Sequence, residues 1–92
     1  MNFSDLKFEP LSTVNPVADG IHAKHFFPNG YGVSVIQSSL SYGNEEGLYE
    51  LAVLQGTAEN WEMCYDTPVT DDVIGYLKPE NVTFLLNQIE AL

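Results

Sequence analysis

The sequence predicts an α+β fold in which an antiparallel meander of about four strands packs against a C-terminal α-helix. Short segments with apolar residues at every second position fill the middle of the 92-residue chain, which is typical of half-buried strands. Turn-forming residues separate these segments. The last residues instead repeat apolar side chains at helical spacing, and such a stripe needs a sheet face to cover it.

The start of the chain predicts an extended lead-in over residues 1–19, with an edge strand around residues 6–11. This stretch is of mixed polarity and contains Pro10 and Pro16. Residues 20–92 then form a single α+β domain, because a chain of this length supports one core of moderate size.

A β-hairpin is predicted over residues 20–37. Apolar and polar residues alternate through 20–27 and again through 32–37, and the run Pro28-Asn29-Gly30 between them has the residues that a tight turn requires. The alternation places His22 and His25 on opposite faces of the first strand. That arrangement does not suit two ligands of one metal, so we expect structural histidines that are hydrogen-bonded or exposed.

Two more strands are predicted after a polar loop at 38–47. Residues 48–54 carry apolar groups on both faces and predict a central strand. Residues 61–66 predict a fourth strand with Trp61, Met63 and Tyr65 on one face. We expect Phe27, Trp61 and Tyr65 to fill the core between sheet and helix.

The C-terminal region predicts a helix that begins at Pro79, a residue well tolerated in the first helical position. Its apolar stripe consists of Val82, Leu85, Leu86, Ile89 and Leu92. Before it, Thr70-Asp71-Asp72 resembles a helix start. A turn or edge strand through residues 73–77 is the alternative.

The charge distribution is strongly one-sided. Thirteen acidic residues oppose Lys7, Lys24 and Lys78, there is no arginine, and the formal net charge is -10. No lysine or arginine lies between Lys24 and Lys78, and this stretch is called the basic-free interval below. Direct nucleic-acid binding requires basic side chains that displace counterions from phosphates, so it is not expected, and neither is an anionic membrane. The field favours a basic partner, although solubility alone is an alternative reason for it.

The candidate partner-binding residues are the carboxylates of the basic-free interval, supported by aromatic side chains that reach the surface. Two of them, Glu50 and Glu62, lie within predicted strands that could bring them to one face. The full set is Glu45, Glu46, Glu50, Glu59, Glu62, Asp66, Asp71 and Asp72.

No motif for catalysis or for a cofactor is visible. Cys64 is the only cysteine and predicts a buried thiol with no disulfide, and no glycine-rich phosphate loop is present. Asp66, Asp71 and Asp72 offer oxygen ligands for Mg²⁺ or Ca²⁺, but their spacing does not match a calcium loop. Without a signal peptide or a membrane span in the sequence, we expect a cytoplasmic protein.

Three stretches of the chain carry a resemblance to known proteins: His25-Phe26-Phe27-Pro28-Asn29-Gly30-Tyr31-Gly32-Val33-Ser34-Val35, Gly47-Leu48-Tyr49-Glu50-Leu51-Ala52-Val53-Leu54 and Cys64-Tyr65-Asp66-Thr67-Pro68-Val69-Thr70-Asp71-Asp72-Val73-Ile74-Gly75-Tyr76-Leu77. From about His25 to its end, the chain resembles a set of short acidic proteins encoded in the genomes of tailed phages and prophages. This resemblance implies no catalytic or binding residue.

The resemblance and the charge together predict a non-enzymatic protein that binds, and inhibits, a basic or nucleic-acid-binding host protein. DNA-mimicking anti-restriction and anti-CRISPR proteins are inhibitors of this kind. The first alternative is a virion or assembly accessory protein that forms homo-oligomers through the sheet edge or the helix. The second, less favoured, is a small metal-dependent enzyme that uses Asp66, Asp71 and Asp72.

Overall fold

The protein is an antiparallel β-sheet packed against one C-terminal helix, as the sequence predicts. The structure, a computed structural model, describes residues 1–11, 19–38, 47–64, 67–68 and 73–92. Within these ranges lie a short 3-10 helix at Phe3–Asp5 and the following elements: β1 (Glu9–Pro10), β2 (Ile21–Phe26), β3 (Tyr31–Gln37), β4 (Tyr49–Gly56), β5 (Trp61–Met63), β6 (Ile74–Leu77) and α1 (Pro79–Glu90).

The sheet is centred on β3 and β4. Strands β1 to β5 are neighbours in chain order, and β6 pairs with β4 as well. Strand β5 pairs with Leu54–Gly56, whereas β6 pairs with Tyr49 and Leu51. Since β3 occupies the other edge of β4, β5 and β6 lie end to end along a single edge. The predicted central position of β4 is therefore confirmed.

The β2–β3 hairpin has the predicted turn. Gly30 has a φ of 88°, a conformation that favours glycine. The Phe27 N–H donates to the Tyr31 carbonyl at 2.7 Å, and the Gly30 N–H donates to the Phe27 carbonyl at 3.3 Å. The register that follows pairs His25 with Val33.

The sheet has two faces of different character. The helix face carries Val33, Val35, Leu51 and Val53, which belong to one buried cluster together with the apolar stripe of α1. The opposite face, called the far face below, carries the residues that alternate with these. The core cluster consists of Leu6, Ala23, Phe27, Val33, Val35, Leu51, Val53, Cys64, Leu77, Val82, Leu85, Leu86 and Ile89.

Helix α1 begins at Pro79, as predicted. The Lys78 N–H before it donates to Asn81 Oδ1 at 3.0 Å, which satisfies a backbone donor at a helix end. Leu86 and Ile89 are fully buried, which confirms the predicted apolar stripe. Phe84 is on the solvent side of the same helix and is 64% exposed.

Residues 1–11 of the predicted lead-in pack onto the domain. The Phe3 and Phe8 rings lie 5.0 and 5.6 Å from the Tyr49 ring, and the Phe3 N–H donates to Thr83 Oγ1 at 2.9 Å. Leu6 is buried in the core cluster. This segment therefore covers the part of the sheet beside α1.

The segment before α1 forms a strand, which was the alternative prediction for residues 73–77. Strand β6 pairs Leu77 with Tyr49 and Ile74 with Leu51, and the register shifts between the two pairs. One additional residue of β6 is therefore accommodated as a bulge. The helix start predicted at Thr70 lies outside the described residues.

Over the described ranges, no helix is both long enough and apolar enough to span a membrane.

Candidate interaction surface

Apolar side chains continue across the far face of the sheet. Phe26 stands opposite Gly32, and a Cβ atom built on Gly32 would lie 2.6 Å from the Phe26 ring. The ring therefore rests against the glycine backbone, and a side chain at position 32 would clash with it, which explains the glycine there. Leu54 and Met63 are the next residues in this row across β4 and β5.

The row ends in two exposed apolar residues on β5. Trp61 and Met63 each have 37% of their surface exposed. The prediction that Trp61 fills the core is therefore wrong, whereas Phe27 is buried as predicted. The reason is the register: Trp61 pairs with Gly56 and so belongs to the far face, while the core lies under α1.

A lysine covers part of the Trp61 ring. The Lys24 ammonium lies 4.6 Å from the ring centroid, within the range of a cation–π interaction. Lys24 itself is exposed. The far face of this acidic protein thus contains an aromatic surface that accepts a cation.

Two of the predicted carboxylates lie beside Trp61. Glu59 is in the tight turn between β4 and β5. Two hydrogen bonds close this turn: the Thr57 N–H donates to the Asn60 carbonyl at 3.0 Å, and the Asn60 N–H donates to the Thr57 carbonyl at 3.1 Å. Glu62 follows Trp61 in β5, and both glutamates are exposed. The hairpin end therefore combines two carboxylates with exposed apolar side chains.

An open cavity of about 370 Å³ lies at this hairpin end. Its lining is formed by Gln55, Gly56, Asn60, Trp61 and Glu62. The polar groups and the indole border the same space, so a side chain with an apolar stem and a charged head fits its chemistry.

Glu50 is separated from this group. It pairs with Ile36 and is half-buried on the far face, with interactions of its own. Glu62 pairs with Gln55, which lies on the same side of β4 as Leu51 and Val53, the helix-face side. The register thus places Glu50 and Glu62 on opposite faces, contrary to the expectation that they share one. The five other predicted site residues, Glu45, Glu46, Asp66, Asp71 and Asp72, lie outside the described residues.

The two histidines lie on opposite faces of β2, as predicted. His22 pairs with Ile36 and His25 with Val33. His22 is buried, and its Nε2 atom has no hydrogen-bond partner among the described residues. It is therefore neither exposed nor fully hydrogen-bonded, which corrects the expectation for this residue. The His25 ring contacts the Phe27 ring edge-on at 4.8 Å.

Cys64 is buried and reduced, in agreement with the prediction of a structural thiol. Within the described ranges, no three His, Cys, Asp or Glu side chains are grouped in a way that could hold a metal ion. The three aspartates of the metal hypothesis lie in the parts of the chain that are not described.

Comparison with known proteins gives no relative: no family model, no curated protein and no solved structure matches the chain.

Proposed function

We propose that this protein is a non-enzymatic binding module that recognises a basic protein surface through the end of the β4–β5 hairpin. The observation that carries this proposal is that the end of this hairpin combines the exposed Trp61 and Met63 with the exposed glutamates Glu59 and Glu62. Glu62 lies on the opposite face of β5 from Trp61, and the two residues border the same open cavity. Aromatic residues anchor many protein interfaces. The carboxylates and the net charge of -10 attract and orient a cationic partner.

The Lys24–Trp61 contact supports the same proposal. It places an ammonium group against the indole at 4.6 Å, in the way a lysine or arginine of a partner would approach. Lys24 then acts as an internal substitute for the partner's cation. The partner displaces it, because a cation that also reaches Glu59 or Glu62 gains an ion pair in addition to the ring contact.

In its most specific form, the proposal is that the partner is a nucleic-acid-binding host protein, which this chain inhibits as a DNA mimic. Three lysines against thirteen acidic residues give the chain a negative field of the sign that such proteins bind. The resemblance to acidic phage proteins favours this class of partner. Anti-restriction and anti-CRISPR inhibitors are its best examples.

Trp61 provides the test, because it is the only tryptophan of the chain. A lysine- and arginine-rich model peptide is titrated while Trp61 fluorescence is recorded. We expect saturable binding that weakens roughly tenfold between low and physiological ionic strength. Capture from host lysate at the same two ionic strengths, with a DNA duplex as competitor, then tests the DNA-mimic form.

A matched pair of variants separates the surface from the net charge. Glu59→Lys with Glu62→Lys reverses the hairpin carboxylates, and Glu9→Lys with Glu80→Lys makes the same charge change at two exposed glutamates outside the hairpin. We expect the first pair to abolish binding with its circular dichroism spectrum unchanged, and the second to weaken it by a much smaller factor. Equal losses, or binding insensitive to salt, would refute the proposal.

One observation favours the alternative of homo-oligomerisation through a sheet edge. Leu11 N–H donates to the Gly20 carbonyl at the β1 edge of β2, and alternate residues of a strand present their backbone groups to the same side. Lys24 and Phe26 therefore present theirs to this edge. Of the residues of β2, only Ile21 and His22 pair with β1. The backbone groups that Lys24 and Phe26 present to this edge have no backbone partner within the described residues.

An open cavity of about 430 Å³ borders that edge. It is lined by Met1, Asp5, Leu6, Lys7, Lys24 and His25. An unpaired edge is a template for another strand. Light scattering decides between the proposals: an oligomer that persists at high ionic strength favours strand pairing, whereas a monomer at all ionic strengths removes this alternative.

A further inference from the structure

The side chain of Asn29 joins the β2–β3 turn to the end of helix α1. Its Nδ2 group donates to the carbonyls of Ile89 at 2.9 Å and Glu90 at 3.1 Å, and it lies 3.2 Å from the Leu92 main-chain oxygen. Its Oδ1 atom accepts the Tyr31 N–H at 3.0 Å. A residue sixty positions away in sequence thus supplies the cap of the helix.

The chemistry of the partners fixes the orientation of this carboxamide. Only an oxygen can accept the Tyr31 N–H, and only the NH₂ group can donate to carbonyls. The last carbonyls of a helix have no partner within the helix, and they carry the negative end of its dipole. A carboxylate in the same place would have no hydrogen to donate and would face these oxygens with a negative charge.

Asn29 is followed by Gly30, and this is the only Asn-Gly pair in the sequence. Such a pair undergoes deamidation because glycine offers no side chain to hinder attack by its backbone nitrogen. The Gly30 nitrogen loses its proton to solvent and forms a bond to Asn29 Cγ, and the NH₂ group leaves as ammonia. Water then opens the cyclic imide to aspartate or isoaspartate. No oxidant or cofactor is required.

The native hydrogen bonds oppose this reaction. The attacking nitrogen is engaged by the Phe27 carbonyl at 3.3 Å, and the leaving NH₂ group is held by the helix carbonyls. Both ends of the carboxamide are fixed, so Cγ is not free to turn toward Gly30. Reaction therefore requires local opening of the contact between turn and helix.

We propose that Asn29 is a deamidation site that the end of α1 protects, and that its modification permanently releases the helix end from the hairpin. While the contact is closed, the reaction is slow. Once the carboxamide has become a carboxylate, the contact does not form again, because its donors are lost and its charge is repelled. The extent of deamidation at Asn29 therefore reports how often the contact between the turn and the helix opens.

The rate is measured by peptide mass mapping during incubation at mildly alkaline pH, on the folded protein and on the protein in urea. We expect deamidation at Asn29 to be at least about tenfold slower in the folded protein. Asn60, which precedes a tryptophan, provides the internal comparison and should remain intact. Equal rates at Asn29 with and without urea would overturn the proposed protection.

The consequence is tested with Asn29→Asp, the product of the reaction. We expect its Tm to fall by roughly 5 to 15 °C. Asn60→Asp adds the same charge at the other hairpin, where the side chain makes no such helix contact, and should leave Tm within a few degrees. An equal change in both variants would show that charge alone is responsible and would refute the release. If Asn29→Asp fails to fold, deamidated protein isolated from the folded incubation takes its place. Unchanged hydrogen exchange in the last turn of α1 of that protein would refute the release.

Discussion

Tyr76 has the least ordinary backbone conformation among the described residues. Its φ is 58°, and it is the only residue other than glycine with a positive φ in those ranges. The bulge in β6 explains this value, because the pairs Leu77 with Tyr49 and Ile74 with Leu51 fix both sides of the extra residue. The side chain is 60% exposed, so burial does not offset the cost of this conformation.

Because of this strain, we expect position 76 to favour glycine over alanine, which is the reverse of the order at an ordinary strand position. At an ordinary strand position, glycine is roughly 0.5–1 kcal/mol less stable than alanine. At position 76 we expect Tyr76→Gly to be about 1 kcal/mol more stable than Tyr76→Ala, because only glycine adopts a positive φ without a Cβ clash. Urea denaturation of both variants measures the difference. A more stable alanine variant would show that the bulge relaxes when the ring is removed.

The local sequence pattern is enough to predict the elements β2, β3, β4 and α1. The run Pro28-Asn29-Gly30 and the spacing from Val82 to Ile89 act through backbone geometry and periodicity, which adjacent residues determine. The sequence predicts strand β6 only as an alternative to a helix start. Its two pairs with β4 are long-range contacts, and Gly75-Tyr76 does not show the alternation of a regular strand.

The candidate site was harder to predict than the fold. The charge count selects Glu59 and Glu62 as candidates, but it cannot show that the pairing of β5 separates Glu62 from Glu50. The sequence predicts Trp61 in the core because large aromatics are usually buried. The structure places it in a three-residue edge strand, and neither the length of that strand nor the face on which Trp61 lies is visible in the local pattern. The role of Asn29 was equally hidden, since its helix partners lie sixty residues away.

Helix α1 has a fully buried apolar residue, Leu86, close to an exposed one, Phe84. Truncating each of them tests how much the packing of the helix on the sheet contributes to stability. Leu86→Ala leaves a cavity between the helix and the sheet, and we expect the free energy of unfolding to fall by about 2–5 kcal/mol. Phe84→Ala, on the solvent side of the same helix, should change it by no more than about 0.5 kcal/mol. Urea denaturation followed by circular dichroism compares them. Similar losses would mean that Phe84 is covered in solution.

For the whole molecule, the dominant quantity is the unbalanced charge. With a formal net charge of -10 and three lysines, repulsion between carboxylates opposes the compact state. The ion pair between the Met1 amine and Glu90 spans 3.4 Å, and the Glu90 side chain is about half exposed. Exposed pairs of this kind contribute at most about 1 kcal/mol, so they do not balance the repulsion.

Added salt is therefore expected to stabilise this protein. At about 0.01 M ionic strength the Debye length is roughly 30 Å, and at about 0.15 M it is roughly 8 Å. The molecule measures 32 × 27 × 24 Å, so its carboxylates repel one another across the whole fold only at the lower ionic strength. We expect Tm to rise by roughly 5 °C over this range. The variant Glu59→Gln with Glu62→Gln should start with a higher Tm and rise less. A Tm that falls with salt would show that attractive pairs outweigh the repulsion, and the negative field would then be balanced within the fold instead of being available to a partner.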